Sequence, residues 1–175
     1  MVFTYGCGGT MISPQMALTA AHCMDNEDPE DFTITLNSGK EYAVREIRTN
    51  DCWDFEKGGP FSADIAILVL DEPIEDAVEG RDYVNIWNAA DMDTEEGKEF
   101  VLAGWGLSGE VKEDGSQDHL DDGIFHRGYN KVNEIVDNML VYTMDKPEDG
   151  GLDLEAMGHN GDSGSPALIY DDEEY

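Results

Sequence analysis

Three separated segments of this chain each hold one group of a possible proton relay. Thr19-Ala20-Ala21-His22-Cys23 supplies an imidazole, Asp64-Ile65-Ala66-Ile67-Leu68 a carboxylate, and Gly161-Asp162-Ser163-Gly164-Ser165-Pro166 a hydroxyl. A serine hydroxyl is a weak nucleophile until a base removes its proton, and an imidazole oriented by a carboxylate is a base suited to that task. In this order, the three point to acyl transfer by an activated serine. Singly they say little: a Gly/Ser/Asp/Pro surface turn, a satisfied core histidine and a strand-opening surface aspartate are common structural features.

The neighbours of each group sharpen the reading. Gly161 permits a tight turn that can aim the N–H groups of Gly161 and Ser163 at one point, and loss of one such oxyanion donor costs on the order of 10²–10³ in rate. Pro166 closes the turn and an apolar run follows. His22 lies between small residues and Cys23, a setting for a packed, fixed ring; a base needs one orientation and a pKa near neutrality. Asp64 opens an apolar segment, where a carboxylate is costly unless it accepts hydrogen bonds. His119 and His126 lie in polar or turn-like surroundings. His159 is close to Ser163 in sequence, on a turn expected to point it elsewhere. No histidine pair has metal-ligand spacing.

The elements that must position these groups are strands. Residues 32–36 alternate with a period of two, residues 37–40 read as a tight turn and residues 41–48 as the returning strand. Residues 65–70 form a continuous apolar run closed by Asp71-Glu72-Pro73. Residues 100–104, 139–144 and 167–170 complete the strand candidates. Val132, Ile135, Val136, Met139 and Leu140 fall at helical spacing, whereas Leu140-Val141-Tyr142-Thr143 reads as strand; local pattern leaves this segment open. Apolar density falls between residues 78 and 97, which places a boundary between two halves there, 1–88 and 89–175. Residues 110–122 read as a polar loop.

Composition bounds the function. With 175 residues, 40% of them hydrophobic, the chain can bury one sizeable core. Ten basic against forty acidic side chains give a net charge of −30. Nucleic acid and anionic lipid depend on Lys/Arg contacts, so neither is an expected partner, while cationic partners are attracted. The acids cluster at residues 25–31, 91–96 and 171–174 without EF-hand spacing, and read as a solvated surface. The three cysteines, Cys7, Cys23 and Cys52, leave one over in any disulfide scheme, and the absence of C-x-x-C gives no zinc or redox motif. The longest apolar run is too short to span a bilayer, and no signal peptide is visible in the first residues.

Cys7-Gly8-Gly9-Thr10-Met11-Ile12-Ser13 with Leu18-Thr19-Ala20-Ala21-His22-Cys23 resembles the histidine block of the chymotrypsin/trypsin-like serine proteases (family S1). The Asp64 segment resembles the family's aspartate block, and Ala103-Gly104-Trp105-Gly106 the opening of its second barrel. The Ser163 segment resembles its serine block, with Ser165 where glycine is usual.

The resemblance implies an all-β fold of two antiparallel six-stranded Greek-key barrels, the second incomplete in this chain. His22 and Asp64 would come from the first barrel and Ser163 from the second. It implies β-structure for the ambiguous 128–144 segment, a Cys7–Cys23 disulfide with Cys52 free, and an oxidising, secreted location. It assigns His22, Asp64 and Ser163 as the triad and the N–H groups of Gly161 and Ser163 as the oxyanion hole. Met157 and Asn160 fall in the substrate pocket. Met157 stands at the pocket base, where cleavage after Lys or Arg calls for an acid, so an apolar preference is expected. His159 occupies the place of a cysteine of a second bridge, which is therefore absent. No cofactor or metal ligand set is expected, and a monomer acting on protein or peptide substrates is.

Two departures from the family bear on activity. In active members a freed Ile or Val amine pairs with the aspartate before the nucleophile, here Asp162, but no Ile/Val-Val-Gly-Gly segment precedes Cys7. An orphaned buried Asp162 would be costly. The chain also stops twelve residues after Ser163, so it is expected to be a fragment truncated at both ends. The rival reading is a catalytically impaired protease homologue acting as a binding module.

Overall fold

The computed structural model describes residues 2–4, 6–25, 27–54, 56, 59–87, 95–110, 112, 116 and 118–169. Among them are eleven β-strands and no α-helix. The expected division between residues 88 and 89, the acidic residues 91–94 and 171–174, and Tyr170 lie outside the described residues.

Six strands close into an antiparallel barrel: β1 (Val2–Thr4), β2 (Cys7–Ser13), β3 (Met16–Thr19), β4 (Thr33–Leu36), β5 (Glu41–Thr49) and β6 (Ala66–Leu70), in the order β1-β2-β3-β6-β5-β4. β1 also pairs with β4, which leaves the sheet without an edge. The alternation read in residues 32–36 sets the inside: Phe32 and Ile34 are buried and Thr33 is exposed. They meet Met11, Ala17, Val44, Ala66, Leu68 and Leu70 in one apolar cluster. The hairpin between β4 and β5 closes where expected, with Leu36 N–H donating to Lys40 O at 2.9 Å.

The second half is more open. β7 (Glu99–Gly104) is central between β8 (His126–Lys131) and β11 (Ala167–Leu168), all antiparallel. β9 (Glu134–Val136) and β10 (Met139–Val141) form a separate hairpin. The helical spacing over residues 132–140 is therefore realised as strands, as the resemblance implied. Asp137 and Asn138 both have positive φ, 50° and 63°, so the two-residue turn reverses the chain and mimics a helical stripe. His126, read as lying in polar or turn-like surroundings, opens β8 in a polar setting, with its Nε2 3.0 Å from Asp122 Oδ1.

Candidate active site

Strand register brings two of the three groups together. Thr19 at the end of β3 pairs with Ala66 at the start of β6. His22 follows on a 3-10 turn, Ala21–Met24. Asp64 precedes Ala66 as the C-cap of another, Phe61–Ala63. Both loops leave the same end of the barrel, and the two side chains meet. Asp64 Oδ2 lies 2.6 Å from His22 Nδ1, and Asp64 Oδ1 accepts the His22 backbone N–H at 2.8 Å.

The carboxylate thus fixes both the ring and the backbone that carries it. An ionised carboxylate can only accept, so this contact favours the ring tautomer that carries its proton on Nδ1 and turns the Nε2 lone pair outward. The His22 side chain is 45% exposed and that of Asp64 17%, so the carboxylate is shielded and the ring is open to solvent.

The Ser163 turn is docked against this barrel. Gly8 N–H in β2 donates to Ser163 O at 2.7 Å, and Cys23 Sγ lies 4.0 Å from the same oxygen. Gly164 has φ +78°, and a Cβ there would sit 2.5 Å from Gly8 O and 2.3 Å from Thr19 Oγ1, so only glycine fits the contact. Gly161, also at positive φ (94°), makes the turn before the serine. Cys7 and Cys23 are joined in a disulfide with Cα atoms 6.3 Å apart, and Cys52 is free and exposed. Cys7, His22 and Cys23 are close enough to share a metal ion, but the disulfide removes the two thiolates such a site requires.

Asp162 is not an orphan. Its Oδ1 accepts the Gly106 N–H at 2.9 Å and its Oδ2 the His159 N–H at 3.0 Å. The expected cost of an unpaired carboxylate is therefore met by two backbone donors. The Ser165 hydroxyl, at the position where the family usually has glycine, is buried with no hydrogen-bond partner among the described residues.

Met157 and Asn160 line a cavity of about 630 Å³ bounded by β7, β8 and the Asp162 turn. Its wall depends on residues that sequence reasoning missed. Tyr129 N–H in β8 donates to Leu154 O at 3.0 Å, and Ala156 N–H returns to Tyr129 O at 2.9 Å. Asn130, 1% exposed, donates from Nδ2 to Thr143 O and Ala156 O at 3.0 and 2.8 Å. Glu155 Oε2 accepts the Asp145 N–H at 2.7 Å. An asparagine inside a strand is disfavoured unless its amide has a task, which was the available signal.

A closed antiparallel barrel with its histidine loop set against a separate β-unit is the chymotrypsin-like class of fold. The sequence profile of the trypsin family (Trypsin) matches residues 2–173, and the chain belongs to that family. It is 30% identical over 110 residues to a vitellin-degrading protease of Bombyx mori, which covers 58% of this chain and 39% of that protein. It is 30% identical over 108 residues to trypsin epsilon of Drosophila erecta, covering 58% and 40%. An ovochymase of Halocynthia roretzi is 34% identical over 113 residues, 59% of this chain and 7% of that protein. The matches thus span about two fifths or less of these relatives' lengths. Among solved structures, mouse neuropsin, a serine protease expressed in the limbic system, superposes with a TM-score of 0.65 over 96% of this chain and 75% of its own, at 18% identity. No helix among the described residues is long and apolar enough to cross a membrane.

Proposed function

We propose that the chain is the catalytic region of a serine endopeptidase that cleaves peptide bonds through an acyl-enzyme intermediate. The reading is carried by the two-point hold of Asp64 on His22, which leaves Nε2 as a free base on the side of the barrel where Gly8 docks the Ser163 turn. In this account Ser163 Oγ attacks the scissile carbonyl carbon as His22 Nε2 takes its proton. The imidazolium, stabilised by Asp64, then protonates the leaving amine. Water repeats the sequence to release the acid. The N–H groups of Gly161 and Ser163 receive the oxyanion; neither donates to another described residue.

Met157 and Asn160 border the pocket for the side chain preceding the cut. With methionine at its base, the pocket favours apolar groups over Lys or Arg. The net charge of −30 favours cationic substrates through long-range attraction that salt weakens. Residues 1–88 are the unit that carries His22 and Asp64 and residues 89–175 the unit that carries Ser163, and the disulfide suits an oxidising, extracellular setting.

Hydrolysis of an internally quenched peptide library tests the reading. Turnover should fall on the order of 10⁶-fold in Ser163→Ala. A folded wild-type chain with no turnover over the Ser163→Ala background would instead favour the binding module.

A further inference from the structure

His159 has no role in the relay, yet the turn that carries Ser163 is built around it. Its N–H donates to Asp162 Oδ2 at 3.0 Å, and its carbonyl accepts the Asp162 N–H at 2.9 Å. Its ring Nδ1 accepts the N–H of Asn160 at 2.7 Å. The ring meets that of His119 edge to face, with centroids 4.6 Å apart. Where the family resemblance calls for a disulfide cysteine, this chain has an imidazole that clamps the turn from within.

We propose that His159 is a positioning residue for the Ser163 turn, and that it acts only as the neutral ring with its proton on Nε2. The inference rests on the reading of Ser163 as nucleophile. Nδ1 accepts an N–H only through its lone pair; a proton there sets two N–H groups against each other and breaks the bond to Asn160. His119 adds to this, since two imidazolium rings in contact repel.

Other titratable or charged groups face the same cavity. Asp162 comes from the turn itself, Glu110 from the segment after β7, and Asp118 from the loop that carries His119. His126 and Arg127 come from β8, Tyr142 from the end of the β10 segment, and Glu155 from the cavity wall. Among the described residues only Asn160 hydrogen-bonds the His159 ring, and both Asp162 oxygens are already engaged by backbone N–H groups. Protonation of Nδ1 removes the only acceptor of the Asn160 N–H on the ring, so acid loosens the clamp.

Asparagine carries Oδ1 where imidazole carries Nδ1, so His159→Asn retains the acceptor and cannot be protonated, whereas His159→Ala loses it. The test is the rate of Ser163 labelling by a fluorophosphonate from alkaline to acidic pH. At the alkaline end, His159→Ala should label about 10-fold more slowly than wild type, as loss of one hydrogen bond allows, and His159→Asn should recover most of the rate. On acidification the His159→Asn to wild-type ratio should rise by about 10-fold; any effect of acid on the relay itself is common to both proteins and cancels. A pH-independent ratio, or an alanine variant as fast as wild type, overturns the inference. Should no form label, the endopeptidase reading fails by itself, and the ¹⁵N spectrum of the His159 ring at alkaline pH decides the clamp. Protonated Nε2 with bare Nδ1 supports it, and the opposite tautomer overturns it.

Discussion

Asp64 spends both carboxylate oxygens on one residue, His22: Oδ2 on the ring at 2.6 Å and Oδ1 on the backbone N–H at 2.8 Å. An amide at position 64 keeps one acceptor oxygen and turns the other into a donor. Asp64→Asn should therefore retain the fold and favour the wrong imidazole tautomer. Turnover should fall by about 10⁴, the size established for this member of the family's triad. Unchanged turnover in a folded Asp64→Asn protein would remove the carboxylate from the mechanism.

The Gly8–Ser163 contact depends on the missing side chain of Gly164. Gly164→Ala meets both a positive φ and backbone atoms of Gly8 and Ala20 at 2.5 and 2.9 Å. Gly39, at φ +80°, has nothing within 4 Å of its Cβ position and isolates the backbone term. Gly39→Ala should cost about 1–2 kcal/mol. Gly164→Ala should cost more and also abolish turnover. Equal melting temperatures for the two variants would show that the docking of the turn is not tight.

Cys7–Cys23 closes a loop with a sequence separation of 16, for which chain entropy gives about 3 kcal/mol of stabilisation. Denaturant unfolding of Cys7→Ser should show a loss near that size, while Cys52→Ser, at an exposed free thiol, should stay within about 0.5 kcal/mol of wild type. Equal losses would place Cys52 in the covalent framework.

Asp122 gives a pH signature away from the relay. The Ile124 N–H first, and then the His126 ring, hold its carboxyl below the usual carboxylate range. A folded-state pKa below the unfolded one, about 3.9, contributes stability above that value, which is lost as pH falls through the depressed pKa. The melting temperature of Asp122→Asn should lie below wild type at neutral pH and converge with it in strong acid. A difference that persists there would contradict the assignment.

Most of this fold was legible because burial leaves a period. Phe32, Ile34 and the run through Leu70 point to a barrel interior whichever partners they find. The stripe from Val132 to Leu140 was ambiguous because a tight reversal at Asp137-Asn138 returns apolar side chains at helix-like intervals; that dipeptide, with both φ positive, was the readable hairpin signal. His22, Asp64 and Ser163 could be singled out because their chemistry constrains residue type. The partners of Asp162 could not: Gly106 and His159 hold it with backbone N–H groups, which any residue but proline supplies. The bond from Asn160 to the His159 ring is likewise silent, because its donor is a backbone N–H.

If His22 makes Ser163 nucleophilic, intact-mass spectrometry with peptide mapping after fluorophosphonate treatment will locate the activated hydroxyl. A single adduct is expected on Ser163 in the wild-type chain, none in Ser163→Ala, and strong suppression in His22→Ala. A folded wild-type chain that takes up no adduct, or one that labels as fast without the imidazole, would contradict it.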